Sequence, residues 1–467
     1  MNRKKTKIIC TVSDENCEVD FLKALYENGM NVVRLNSAHA TIEGVQKVVD
    51  NVREVSDKIA ILIDTKGPEI RLTAMESSVG IVLNQGQKIK FGEGTDGLCN
   101  HSCLYTNCAT FVQDVPVGAH VLIDDGTADL LVTEKHTDHL VCEAQNTAVI
   151  KGRKSINVPG VEIKLPSLTE KDRMFINWAI DADIEFVAHS FVRTRNDLEE
   201  INEIVSSRNS HLKIISKIEN QQGIDNLEEI LNDCYGVMIA RGDLGVEIPA
   251  ERIPHIQKKI VEKCRARKKP VIVATQMLHS MIDNPRPTRA EVTDIANAIA
   301  QSTDAIMLSG ETAYGKYPVE AVRTMSEIAM ESEKYIDVSL DVNLEKVTKP
   351  IAAVLARSIV GATQEIPVKA IIFDTWTGRT GRYLAEFRPK VPIYAMCYNG
   401  HTMREMALTY DVYGYPFEVT GTKEGFVNNS IRILLEDGKI SKGDLVGFIG
   451  GSFNDVLGAT YMEFKYV

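Results

Sequence analysis

Eight short apolar runs, separated by helical stretches, constrain the fold of this chain most. Each run is four to seven residues long, which suits a strand that is buried on both faces of a parallel sheet. Eight strands alternating with helices predict an α/β fold with a closed (β/α)8 barrel of the TIM type. The runs are Lys7 to Val12, Val32 to Leu35, Ile59 to Ile63, Ile184 to Val187, Leu212 to Ile218, Val237 to Ala240, Val271 to Ala274 and Ala305 to Leu308.

The alternation breaks between the third and fourth runs and again after the eighth run. Short alternating segments such as Lys88 to Phe91, separated by Gly, Asp and Asn, predict an inserted small β-barrel that forms a lid over the active face. Strands at Lys369 to Phe373, Val391 to Ala395 and Leu445 to Ile449 predict a C-terminal open-sheet α/β domain. We expect barrel residues at 1–71 and 157–338, the lid at 72–156 and the C-terminal domain at 339–467.

Local motifs refine this picture. Residues Gly92 to Gly97 match the dinucleotide-binding fingerprint, but the sequence predicts no helix after them. Without a helix the glycines cannot present amides to a pyrophosphate, so we expect an ordinary turn. Two helices should begin with capping boxes, at Ser167 to Glu170 and at Thr288 to Glu291.

Composition limits the class of protein and its partners. The 467 residues are 44% hydrophobic and 25% charged, which is typical of a globular protein. A net charge of −11 argues against a nucleic-acid partner, and no apolar run approaches the length that a membrane requires. Nine scattered cysteines and the absence of a signal-peptide pattern favour reduced thiols and a cytoplasmic location.

Three charged residues at the ends of the fifth and sixth runs suggest a site. Lys217 and Glu219 are two apart and therefore share one face of a strand, and Asp243 follows the next strand. Two carboxylates beside one ammonium suit a divalent cation together with an anionic, oxygen-rich substrate. The alternative is a structural ion pair at the rim of the barrel.

Polar residues also follow other runs, which supports a common site at the barrel mouth. A further loop in the C-terminal domain combines hydroxyls, a glycine and an arginine before a helix. It could form a phosphate cradle or an ordinary N-cap. The mouth segments are Arg34 to Asn36, Asp64 to Arg71, Ala274 to Gln276 and Ser309 to Thr312, and the loop is Thr375 to Thr380.

The chain resembles the pyruvate kinases over nearly its full length. The similar segments are long and specific: Asp64 to Arg71, Ile214 to Gly223, Ala240 to Glu247, Ala274 to Ser280, Pro285 to Glu291 and Leu308 to Thr312. The resemblance implies phosphoryl transfer from phosphoenolpyruvate to ADP, the last step of glycolysis. It also implies a barrel, a β lid and a regulatory C-terminal domain, as the pattern of runs predicts independently.

The resemblance implies roles for individual residues. Catalysis falls to Lys217, Arg34 and Thr275, with Gly242 and Asp243 also in the substrate site. Mg²⁺ or Mn²⁺ would bind Glu219 and Asp243, and K⁺ would bind Asn36, Asp64 and Thr65. The nucleotide would contact His39, Arg71 and Lys154. A sugar-phosphate effector would bind Thr375, Thr377, Gly378, Arg379 and Thr380 in a homotetramer, and a monophosphate fits better because Trp376 and the loop Gly450 to Asn454 lack a cation.

Two loops depart from the family pattern. The usual Arg-Leu-Asn-Phe-Ser-His-Gly is Arg34 to Ala40 here, so Ala38 replaces a hydroxyl ligand of K⁺. The usual Gly-Pro-Ala-Ser is Ser13 to Asn16, near the adenine. Glu69, by contrast, stands where potassium-dependent members carry Glu. We expect potassium activation with weakened potassium affinity.

Two other functions remain open from the sequence. A divalent-dependent aldolase or lyase on a related barrel could use the same carboxylates to stabilise a pyruvate enolate. A catalytically weak, effector-binding protein is the alternative without an enzymatic role.

Overall fold

The computed structural model describes residues 3–38, 40–451 and 458–467. The chain begins with strands and helices in alternation, as predicted. Helix α2 starts after Thr41, whose side chain accepts a hydrogen bond from the Gly44 amide at 3.1 Å. The elements are β1 (Lys7–Thr11), α1 (Val19–Glu27), β2 (Val32–Asn36), α2 (Ile42–Val55) and β3 (Ala60–Asp64).

The lid follows β3 and is built almost entirely of short strands. It forms a sheet in the order β11-β7-β8-β9-β5-β6 and a second pair, β10-β4, and it also contains a short helix, α3, that the sequence pattern does not predict. Gly92 ends β5 and leads into turns rather than a helix, as expected. The elements are β4 (Ile81–Leu83), β5 (Lys88–Gly92), β6 (Cys103–Leu104), α3 (Phe111–Asp114), β7 (His120–Ile123), β8 (Ala128–Lys135), β9 (His139–Ala144), β10 (Ala148–Ile150) and β11 (Ile156–Asn157).

The second part of the barrel supplies its other strands, which close the sheet in the order β1-β16-β15-β14-β13-β12-β3-β2. The predicted (β/α)8 barrel is therefore confirmed. Its elements are α4 (Glu170–Asp181), β12 (Phe186–His189), α5 (Arg195–Ser207), β13 (Lys213–Ile218), α6 (Gln221–Asp225), α7 (Leu227–Asp233), β14 (Gly236–Ala240), α8 (Arg241–Glu247), α9 (Ile253–Ala266), β15 (Val271–Ala274), α10 (Arg289–Ala300), β16 (Ala305–Leu308), α11 (Gly310–Ala313) and α12 (Pro318–Ser332), with 3₁₀ helices at Ala250–Arg252, His279–Ile282 and Glu333–Tyr335.

Several boundaries differ from the sequence predictions by one or two residues; the strand predicted at Val391 to Ala395, for example, runs from Ile393 to Cys397. The capping box of α4 joins Thr169 to Asp172, whereas that of α10 joins Thr288 to Glu291 as predicted. The α4 prediction was therefore wrong by two residues. Strand β12 begins and ends two residues later than expected, because residues 184 and 185 precede the first pairing of Phe186 with Leu62 and Lys213.

The alternation of side chains in β13 decides what reaches the barrel mouth. Ile215 belongs to the apolar cluster inside the barrel, whereas Ile214 and Ile218 pack against the surrounding helices. Because alternate residues share a face, Lys217 and Glu219 continue the inner row beyond Ile215. The strand thus carries two charged side chains to its carboxyl end, inside the barrel.

The C-terminal domain is an open sheet in the order β19-β18-β17-β20-β21, parallel except for the last strand. Leu408 joins the cluster inside the barrel, so this domain covers the end opposite the lid. Its elements are α13 (Pro350–Glu365), β17 (Val368–Thr375), α14 (Arg379–Glu386), β18 (Ile393–Cys397), α15 (Gly400–Glu405), β19 (Val412–Pro416), α16 (Lys423–Glu436), β20 (Leu445–Gly450) and β21 (Tyr461–Tyr466), with a 3₁₀ helix at Met406–Leu408.

The cysteines and the helices add two observations. All nine cysteines are free thiols, most of them buried. Among the residues that the structure describes, no helix is both long and apolar enough to cross a bilayer.

Candidate active site

A network of two cations and two carboxylates lies at the mouth of the barrel. Lys217 Nζ is 2.9 Å from Glu219 Oε1, 3.2 Å from Asp64 Oδ1 and 2.8 Å from the Ser190 hydroxyl. Arg34 pairs with the other oxygen of Asp64, which lies 2.7 Å from its Nε and 2.6 Å from its Nη2. The structure therefore brings together side chains from four strand ends; the sequence analysis expects those of β2, β3 and β13 but not Ser190, which follows β12.

Burial makes the charges in this network interdependent. Burial opposes ionisation of Asp64, but Lys217 and Arg34 outweigh it and lower the pKa of that carboxyl. Burial also opposes the charge on Lys217, yet the Asp64, Glu219 and Asp243 carboxylates raise its pKa well above the usual range. Lys217 is thus a permanent cation, fixed between two carboxylates.

Neighbouring cations balance the negative charge of Glu219 less fully than that of Asp64. Burial, with a further contribution from Asp243, raises the pKa of Glu219 to about 7 although Lys217 opposes the shift. One oxygen accepts the Phe191 amide at 2.7 Å, and the other makes no hydrogen bond beyond its ion pair with Lys217, as far as the described residues show. A cation bound between Glu219 and Asp243 would supply the missing charge, so these residues fit a divalent metal.

The number of protein ligands is small. The described part of the chain holds no group of three or more His, Cys, Asp or Glu side chains arranged for a metal. A hard divalent cation prefers about six oxygen ligands. The two carboxylates therefore suit an ion that takes its other ligands from a substrate and from water.

Strained backbone positions surround the network. Phe191, Thr275 and Gln276 adopt positive φ angles of 56°, 68° and 54°, which non-glycine residues rarely adopt. Gly242 N–H donates to the Thr275 hydroxyl at 2.8 Å, and that hydroxyl donates to Ala274 O at 2.7 Å. The amide of Gly242, a residue that the resemblance places in the substrate site, is therefore held by Thr275 in this structure.

A cavity of about 340 Å³ opens from this network toward the lid. Glu219 and Asp243 line it from the barrel, and Asp125 and Ser155 line it from the lid. This volume is within the range of small-molecule sites. The cavity places a bound ligand between the carboxylates and the lid.

Two residues that are expected to bind the nucleotide, Arg71 and Lys154, form ion pairs with carboxylates at the lid. Arg71 makes a two-pronged contact with Glu69, at 2.7 and 2.8 Å, and Lys154 Nζ is 2.9 Å from Asp124. His39 lies outside the described residues. Among the described residues, neither Arg71 nor Lys154 has a direct contact with the Lys217 network, so the structure separates these two predicted residues from it.

The predicted potassium ligands are neighbours at the ends of β2 and β3. Asn36 is in register with Asp64, and its side chain accepts the Ala38 amide at 3.1 Å. The Thr65 hydroxyl accepts the Ser190 amide at 3.0 Å. Lys171 donates to the Ala38 carbonyl at 3.0 Å, which brings an ammonium close to this cluster.

The predicted effector loop joins β17 to α14. The Thr375 hydroxyl accepts the amides of Thr377 and Gly378 at 3.2 and 2.8 Å, and Gly378 has a φ of 68°. The adjacent cavity is only about 10 Å³, so the loop is closed around its own hydrogen bonds. Residues 452–454 of the late loop lie outside the described part of the chain.

Sequence reasoning missed three residues of the network. Ser190 hydrogen bonds to Asp64, Thr65 and Lys217, and the Phe191 amide holds Glu219. Thr11, at the end of β1, accepts from Arg34 at 3.0 Å. The sequence signal available for this strand end was the polar pair His189 and Ser190, which directly follows Ala188.

Comparisons with known proteins agree with this geometry. Residues 3–322 match the barrel domain of pyruvate kinase, and residues 353–462 match its alpha/beta domain. The pyruvate kinase of Borreliella burgdorferi is 46% identical, with 100% of this chain and 98% of that protein covered. That of Geobacillus stearothermophilus is 42% identical, covering 96% and 78%. A crystal structure of a pyruvate kinase from Cryptosporidium parvum is 35% identical, with a TM-score of 0.94 over 99% of this chain and 96% of that one.

The fold, the site and the matches together define the class of this protein. It is a phosphotransferase built on a barrel, with a lid over a centre of carboxylates and a lysine. The matches extend over both the barrel and the C-terminal domain. The chain belongs to the pyruvate kinase family.

Proposed function

We propose that this protein transfers the phosphoryl group of phosphoenolpyruvate to ADP, giving pyruvate and ATP, at the Lys217 network. The main support is the position of Lys217 Nζ within 3.2 Å of both Asp64 and Glu219, on the inner face at the barrel mouth. Glu219 and Asp243 would hold Mg²⁺ or Mn²⁺, which supplies Lewis-acid stabilisation of substrate oxygens.

Lys217 and Arg34 neutralise the negative charge of the group in transit. The bond between phosphorus and the enolate oxygen breaks, its electron pair stays on that oxygen, and a β-phosphate oxygen of ADP forms the new bond to phosphorus. Such a step needs positioning and charge rather than covalent help from the protein. The ion pairs of Lys217 and Arg34 hold both cations in place before the substrate arrives.

The enolate must then gain a proton at carbon to become pyruvate. The resemblance gives Thr275 a catalytic role, and we propose that it acts in this step; its hydroxyl, however, donates to Ala274 O and accepts from Gly242. A hydroxyl fixed in this way orients a water rather than giving up its own proton. Thr275 is therefore proposed to position the water that carries the proton.

Arg71 and Lys154 are proposed to bind the nucleotide phosphates, with His39 near the base. Their partners Glu69 and Asp124 neutralise them when no nucleotide is bound. Exchange of these carboxylates for phosphate oxygens would couple nucleotide binding to movement of the lid, which limits access of water to the transferred group.

The remaining assignments are proposals of the same kind. Asn36, Asp64 and Thr65 would bind K⁺, and Thr375, Thr377, Gly378, Arg379 and Thr380 would bind a sugar phosphate. Opening of the closed loop would accompany effector binding.

The proposed domain limits are 1–71 and 157–338 for the barrel, 72–156 for the lid and 339–467 for the C-terminal domain. We also propose that the protein is a cytoplasmic homotetramer.

An assay for pyruvate with and without ADP tests the function. Release of pyruvate from phosphoenolpyruvate that requires both ADP and a divalent cation would support phosphoryl transfer. Release without ADP would mean that the phosphoryl group passes to water and would contradict transfer to ADP. Pyruvate released without ADP from an aldol substrate, but not from phosphoenolpyruvate, would support the lyase. No turnover with intact effector binding would support the binding protein.

A further inference from the structure

A strongly basic cleft lies between the barrel and the C-terminal domain, at the end of the barrel opposite the active site. Its volume is about 440 Å³. Three of its cations follow α9, just before β15, and the other three come from the C-terminal domain. The six are Arg267, Lys268, Lys269, Lys346, Arg379 and Arg382. The chain as a whole carries a charge of −11, so composition does not explain this cluster.

Most of these cations have no carboxylate partner. Arg267 is neutralised by Glu228 at 2.5 Å and by Glu345 at 2.6 Å. Within residues 3–38, 40–451 and 458–467, the other five cations make no ion pair: Lys268, Lys269, Lys346, Arg379 and Arg382.

These cations donate to neutral oxygens rather than forming ion pairs, although the more distant carboxylates Glu345, Glu386 and Asp233 favour the charge on Lys268 and Lys269. Lys269 donates to the Cys234 carbonyl at 2.5 Å. Arg382 donates to the Tyr235 hydroxyl and to the Thr377 carbonyl, both at 3.2 Å, and lies 5.1 Å above the Tyr235 ring. Burial and the neighbouring charge of Lys269 lower the pKa of Lys268 to about 8. The cleft therefore concentrates positive charge that an anion would stabilise.

The arrangement of the two arginines suits phosphate. Arg379 and Arg382 are three residues apart on α14, so their side chains share one face of the helix. Guanidinium groups bind phosphate oxygens through two parallel hydrogen bonds. Tyr235 and Tyr383 also line the cleft and offer apolar surface beside the cations.

We propose that this cleft binds a phosphorylated small molecule with at least two negative charges. The volume exceeds what a lone phosphate needs and falls within the range of metabolite-sized sites. This site is distinct from the loop cavity, which Thr375, Thr377 and Thr380 line. Arg379 borders both cavities, so a ligand in the cleft fixes one side of the loop.

The ligand would also join two domains. Lys268 and Lys269 belong to the barrel, whereas Arg379 and Arg382 belong to the C-terminal domain. A ligand that binds only the folded form raises its stability by mass action. Binding should therefore raise the melting temperature, independently of phosphoryl transfer at the other end of the barrel.

Calorimetric titration tests the proposal with inorganic pyrophosphate and fructose 1,6-bisphosphate, in about 150 mM salt without divalent cations. We expect saturable binding of at least one probe, weakened about tenfold or more in Lys268→Gln/Lys346→Gln and kept in Lys268→Arg/Lys346→Arg. Thr380→Val, at a residue that lines the loop cavity and not the cleft, should keep binding to the cleft. No saturable binding to the unaltered protein, or unchanged binding in the double glutamine variant, would overturn the proposal.

A second measurement avoids the folding of variants. Brief acetylation of the unaltered protein, read by mass spectrometry, should show that the probe protects Lys268 and Lys346 but not the exposed Lys442. Equal modification of all three lysines with and without a probe that binds would place that probe elsewhere and refute the cleft.

Discussion

Replacing Lys217 with methionine removes one charge from the centre of the proposed site and keeps most of the side-chain volume. The ammonium contacts three oxygens at 2.8, 2.9 and 3.2 Å. Loss of one donor aimed at developing charge costs about 2.7–4 kcal/mol, or about 10²–10³ in kcat. The lost charge would also raise the pKa of Glu219 above about 7 and weaken the metal site, so the loss should reach the upper end of that range.

Strand β13 offers a matched control. Lys213 lies on the same face four residues earlier, at the other end of the barrel, and pairs with Glu405 at 3.4 Å. Lys213→Met should therefore leave kcat within about twofold. Steady-state assays at saturating phosphoenolpyruvate and ADP, with melting temperatures for both variants, make the comparison. Near-normal kcat in Lys217→Met, or equal losses in the two variants, would refute the assigned role.

Three further predictions follow from the contacts of the site. Because the pKa of Glu219 is about 7 without a cation, Mn²⁺ must displace a proton from this carboxyl below pH 7. The affinity of the substrate-free protein for Mn²⁺, measured by electron paramagnetic resonance, should therefore fall up to about tenfold for each pH unit below 7. Glu219→Gln should remove this dependence on pH. Ala38→Ser should lower the potassium concentration for half-maximal activity, with tetramethylammonium holding ionic strength constant; full activity without potassium would contradict the potassium site. Lys154→Met should raise the KM for ADP more than that for phosphoenolpyruvate, whereas Asp124→Asn, which leaves the ammonium free, should not; equal effects on both substrates would contradict the nucleotide role.

The strand alternation made much of the site predictable. Lys217 and Glu219 interrupt an apolar run at a spacing of two, so period-two geometry alone puts them on one face. The closed barrel then brings β2, β3 and β13 together at their carboxyl ends, where Arg34 and Asp64 meet Lys217. Local pattern and a known architecture were sufficient for these residues.

Other contributions carry a weaker sequence signal or none. Phe191 acts through its backbone amide, and its φ of 56° is a conformation that phenylalanine rarely adopts. Ser190 lies beyond the apparent end of the fourth run, because the apolar pattern stops before the strand and its loop do. The basic cleft joins residues more than seventy positions apart, such as Lys269 and Lys346, so only the folded chain brings them together.

The fate of the phosphoryl group distinguishes transfer to ADP from hydrolysis and from lyase chemistry. In a single turnover with phosphoenolpyruvate labelled in its phosphate, we expect one labelled ATP for each pyruvate, only when ADP and a divalent cation are present. Glu219→Gln should abolish this transfer. Label that appears as inorganic phosphate, pyruvate that forms without ADP, or full transfer in Glu219→Gln would refute phosphoryl transfer at the Lys217 network.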